Sequence, residues 1–100
     1  MLHTVNKSPF ASATLSACIE HITPGAALLL IEDGVTGAVA GTPAADLLAA
    51  ILGRCPVYVL QPDLAARGLR EARLLPGVEL VDYAGFVRLV VAHEAVQAWL

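Results

Sequence analysis

The sequence predicts an α/β protein: a three-layer α/β/α sandwich on a five-stranded, mainly parallel sheet. Short apolar runs of strand length alternate with segments of helical periodicity, the pattern of βα units. The run Ala26–Ile31 is apolar at every position, as expected of a central strand buried on both faces. Pro, Gly and Asn punctuate the runs, and no linker, repeat or low-complexity tract divides residues 1–100, which read as one domain.

The elements follow in order. Leu2–Val5 reads as a first strand, broken by Asn6-Lys7-Ser8-Pro9. A helix from about Ser12 places Leu15, Cys18, Ile19 and Ile22 on one face, and Thr23-Pro24-Gly25 stops it. Glu32-Asp33-Gly34 ends the second strand, and Val35–Ala40 forms a short helical turn. Thr42 caps a helix with Pro43 at its first position, carrying Leu47, Leu48, Ile51 and Leu52 up to Gly53. Val57–Leu60 is the third strand, Pro62–Arg67 a short helix closed by Gly68, and Val78–Val81 the fourth strand. Asp82 caps a helix to about His93 with Phe86, Leu89 and Val90 inward, and Ala95–Leu100 is the last strand.

Composition bounds the function classes. The chain is 57% hydrophobic before glycine is counted and only 15% charged. Ordinary soluble domains have about 45–50% apolar residues with glycine included, and about 25% charged. A domain of 100 residues cannot hide such a surplus, so part of it lies outside the core and marks a partner surface. A membrane span is excluded by length, since the stretch Gly25–Ile31 runs into Glu32 and Asp33 while spanning takes about 20 residues. Leu2-His3-Thr4-Val5 has no basic region before an apolar one, so the expected location is cytoplasmic. The net charge of −3 and six scattered basic residues argue against a nucleic-acid partner. Arg67, Arg70 and Arg73 fall at helical spacing, expected as a solvated face.

Cys18 is the residue of greatest chemical interest. It lies on the apolar stripe of the first helix, where a thiol also serves as a small hydrophobe. His21, at i+3, would lower its pKa if protonated, which makes the pair a candidate nucleophile and its support. Cys55 sits at the amino edge of the sheet, whereas α/β sites gather at the carboxyl edge. Glu32-Asp33 lies at a carboxyl edge, but two acids without a third ligand read first as a turn with Gly34 at positive φ. His3 lies within a strand and His93 near a helix C-terminus, neither with a catalytic partner. No zinc pattern, phosphate loop or nucleophile elbow is present, so neither metal nor cofactor is expected. The lack of a catalytic constellation favours a binding or relay role.

Five strings in register extend this reading. They are Leu2-His3-Thr4-Val5-Asn6-Lys7-Ser8-Pro9-Phe10, Leu29-Leu30-Ile31-Glu32-Asp33-Gly34-Val35, Asp63-Leu64-Ala65-Ala66-Arg67-Gly68, Val81-Asp82-Tyr83-Ala84-Gly85-Phe86-Val87 and Gln97-Ala98-Trp99-Leu100. Together the set resembles the DsrH/TusB family of sulfur-relay subunits over nearly the whole chain. The resemblance implies a DsrE-like fold and a heterohexamer with DsrE/TusD-like and DsrF/TusC-like subunits. It further implies a TusA-like sulfur donor and a DsrC/TusE-like acceptor, with protein persulfides as the cargo. The main carrier cysteine of such complexes belongs to the DsrE/TusD-type subunit. A cysteine in the first helix is common in DsrH chains of sulfur oxidisers, and Cys18 matches that position. The resemblance therefore points first to a DsrEFH-type complex in dissimilatory sulfur oxidation, with Cys18 as candidate persulfide carrier and His21 supporting it. The alternatives are a TusB-type subunit serving wobble 2-thiouridine synthesis in tRNA, and a free-standing cysteine-dependent sulfurtransferase. A relay thiol needs exposure, which expects Cys18 at the margin of its stripe.

Overall fold

The computed structural model describes residues 1–100. Five parallel strands, β1 (Leu2–Val5), β2 (Ala27–Leu30), β3 (Val57–Leu60), β4 (Glu79–Val81) and β5 (Val96–Trp99), form one sheet in the order β4-β3-β2-β1-β5. Register pairs His3 with Leu28 and with Gln97, and Tyr58 with Glu79. The first four strands add outward from β1, and β5 then returns to its other side.

The helices are α1 (Thr14–His21), α2 (Pro43–Ile51), α3 (Gln61–Ala66) and α4 (Tyr83–Ala92), with a 3₁₀ segment at Glu32–Ala38. Their start signals are met. Thr42 Oγ1 accepts from the Ala45 amide at 3.2 Å, and Asp82 Oδ1 accepts from the Gly85 amide at 2.7 Å. Each satisfies a helical N–H that has no partner within its own helix. His93 ends α4 with Nδ1 2.8 Å from the Leu89 carbonyl.

The layers are uneven. On one side of the sheet, α1, α2, α3 and the 3₁₀ segment enclose a core of sixteen buried residues, among them Val5, Leu15, Leu28, Leu30, Leu48 and Val59. On the other, α4 alone lays Phe86 and Leu89 over a buried group of Leu2, Ala27 and Leu29. The inward assignment of Val90 shifts here, and Leu47 of the α2 apolar set also lies outward. Leu47 is 42% exposed and Val90 37%, because each falls at the margin of its helix's buried arc. The helical spacing of Arg67, Arg70 and Arg73 is not realised either. The last helical residue of α3 is Ala66, and Gly68 at φ +70° turns the chain away. No helix is long and apolar enough to cross a membrane.

Candidate functional site

The first helix places Cys18 at full burial. Its side chain belongs to the larger core, with none of its surface exposed. Burial, with a smaller contribution from nearby Cys55, pushes the thiol up to about 11. The expected position at the margin of the stripe is therefore not the one adopted. A core environment penalises the thiolate, the form that attacks sulfur. Cys55 is also buried, and its thiol donates to the Thr23 carbonyl at 3.3 Å.

His21 does not turn toward Cys18. Its Nδ1 lies 2.8 Å from the Ala17 carbonyl, and its ring stands 5.7 Å from that of Trp99. No hydrogen bond joins the two residues that the i+3 spacing pairs. Helical spacing brings Cβ atoms near each other, but Cys18 faces the core while His21 is exposed at the helix end.

The acidic pair at the end of β2 is a clasp between segments. Glu32, not Gly34, takes the positive φ, at +49°. Gly34 is required for a different reason, since a Cβ there would overlap the Val5 carbonyl oxygen. The Glu32 amide donates to Asp63 Oδ2 at 2.6 Å, and Arg67 Nε donates to Asp33 Oδ1 at 2.8 Å. The 3₁₀ segment is thereby tied to α3, and the Asp33 carboxylate is committed to a guanidinium. No group of three or more His, Cys, Asp or Glu side chains is placed to hold a metal ion.

Two further features lie at the carboxyl end of the sheet. Asn6 Oδ1, just beyond β1, is the one buried side-chain oxygen without a hydrogen-bond partner. An open cleft of about 360 Å³ beside β4 is lined by Gln61, Glu79, Leu80, Val81, Asp82 and Arg88. Its walls are mostly polar, unlike the enclosed apolar pockets that hold small molecules.

His3 is the side chain that sequence inspection undervalued. It is 5% exposed on β1, and its Nδ1 accepts from Trp99 Nε1 at 3.0 Å. The signal was the pairing of a strand histidine with an indole at the other end of the chain, which only strand order reveals.

Comparison with known proteins decides the family. A family model described as DsrH-like protein matches residues 7–96. The chain belongs to the DsrH family. It is 40% identical over 100 residues to Protein TusB of Pectobacterium parmentieri, covering 99% of this chain and all of that one. Protein TusB of Escherichia coli strain K12 is 39% identical over 99 residues, with the same coverage. Among solved structures, the ychN protein of E. coli superposes with a TM-score of 0.78 at 18% identity over 97% of each chain. A protein of unknown function from Methanobacterium thermoautotrophicum gives 0.69 at 15% identity, over 97% of this chain and 95% of that one. These two likenesses establish the five-stranded parallel α/β sandwich as a shared fold and nothing more.

Proposed function

We propose that this DsrH-family chain is a TusB-type subunit of a sulfur-relay complex serving 2-thiouridine synthesis in tRNA. Its contribution there is surface rather than a carrier thiol. The observation behind this is the full-length similarity, near 40%, to proteins named TusB. It favours tRNA thiolation over dissimilatory sulfur oxidation, the first expectation from sequence. That expectation leaned on Cys18 as an accessible carrier, and a thiol with no exposed surface removes the support. The unpaired Cys18 and His21 equally withdraw support from a free-standing thiol enzyme.

The shape of the domain agrees with a subunit role. Tyr83, Val87 and Val91, at i, i+4 and i+8 along α4, are 62%, 61% and 80% exposed. A helix apolar on its outer as well as its inner face is ordinarily buried, here by TusC- or TusD-like partners.

The test is replacement. In a bacterium deleted for its own TusB, this chain should restore wobble 2-thiouridine in tRNA and co-purify with the TusC- and TusD-type subunits. Failure of both defeats the proposal. Mass spectrometry of the complex after exposure to a sulfur donor should find persulfide on a partner cysteine and none on Cys18. Stoichiometric loading of Cys18 would return it to the relay as a carrier.

A further inference from the structure

β5 is an edge strand of the sheet. It pairs with β1 alone, and Val96, Gln97 and Ala98 are all exposed. Trp99 is its anchor, packed against the larger core. The indole lies between two imidazoles, with ring centroids 6.1 Å from His3 on β1 and 5.7 Å from His21 on α1.

The proton positions in this tilted cluster follow from the partners. An indole N–H only donates, so His3 Nδ1, 3.0 Å away, must present a lone pair. His3 is then neutral, with its proton on Nε2. A carbonyl only accepts, so His21 Nδ1, 2.8 Å from the Ala17 oxygen, carries its proton. Acid therefore acts on the two rings in opposite ways. A proton added to His3 lands on Nδ1 and abolishes the acceptor that holds the indole. A proton added to His21 lands on Nε2, keeps the Ala17 bond, and sets a cation beside the indole and the C-terminus of α1.

We propose that the His3–Trp99–His21 cluster is an acid-sensitive latch on β5, opened by protonation of His3 and not of His21. Around His3, β2 contributes Leu28 and β5 contributes Gln97 and Trp99, none of which titrates near neutrality. From α1 comes His21, across the indole, while Glu20 of the same helix is exposed to water. The charge that acts on the ring is the chain's own terminal ammonium, and it adds to burial in holding the His3 pKa below 6.5. The latch is thus closed at neutral pH. When it opens, β5 loses its anchor and β1 becomes an edge with unpaired backbone groups, a surface open to another strand. The device does not depend on a role in sulfur relay.

Trp99 is the only tryptophan, so its emission reports this cluster alone. On acidifying the full chain from about pH 8 to about pH 4, which spans the histidine range, emission should shift to the red in one step. Amide protection in β5 should fall about tenfold per pH unit in the window below 6.5, while β2 amides stay protected. In His3→Asn, whose Oδ1 stands where Nδ1 did and accepts from the indole without titrating, the step should vanish. In His21→Gln it should persist. Nitrogen spectra of the unsubstituted chain at neutral pH should show His3 protonated on Nε2. A step that survives in His3→Asn, simultaneous loss of protection in β2 and β5, or an Nδ1-protonated His3 would each overturn the latch.

Discussion

On one face of the sheet, three helices and a 3₁₀ segment bury sixteen side chains; on the other, α4 alone buries three. The strands are the same, so the difference lies in what covers them. Five strands spaced about 4.8 Å apart make a face about 19 Å across between outer strands, and one helix about 10 Å wide spans half of that. The many-helix face closes on itself. The α4 face instead leaves Tyr83, Val87 and Val91 outside, with Val96 of β5 also 45% exposed. One side of the domain is a finished core, and the other leaves apolar side chains uncovered.

Substitutions on the two faces should behave accordingly. Leu28→Ala, at a side chain with no exposed surface, should cost about 2–5 kcal/mol in denaturant unfolding, because a rigid core does not collapse around the cavity. A loss below 1 kcal/mol would mean that the closed face is loosely packed.

Cys18 gives the same face a pH signature. A thiol ordinarily near 9.0 is held at about 11 in the fold. The unfolded chain releases that proton first, so stability is intact below pH 9 and is lost as pH rises toward 11. The full shift corresponds to up to about 3 kcal/mol. Cys18→Ala should flatten this alkaline limb.

On the α4 face the order of effects should invert. Val87→Asp should change the stability of the isolated chain by about 0.5 kcal/mol or less, since it replaces an exposed side chain. The same change should abolish co-purification with TusC- and TusD-type subunits. Undiminished assembly would mean that partners dock elsewhere. The smallest effect belongs to the clasp of the 3₁₀ segment. Asp33→Asn removes an ion pair whose side chains are 29% and 66% exposed, worth about 0.2–1 kcal/mol and shrinking with added salt.

The legible and illegible parts of this protein divide by sequence distance. Alternating runs and caps such as Thr42 and Asp82 are local, so all five strands and four helices were visible in the chain. The DsrH resemblance was visible for the same reason, as strings of consecutive residues. Cys18 was harder. Its stripe position was legible, but whether a stripe residue lies at the centre or margin of the buried arc depends on how α1 leans on the sheet. His21 shows the limit plainly, since i+3 spacing offers a neighbour without deciding which way either side chain turns.

The sequence by itself determined the α/β alternation, the family, and an apolar surplus too large for one small core. Those properties follow from periodicity and composition, which are set within a few residues or summed over all of them. Only the tertiary structure decided where the surplus lies, that the Cys18 thiol is sealed in, and that His3 meets Trp99 across 96 residues of chain. Such contacts depend on strand order and helix placement, and those are settled by packing the whole chain at once.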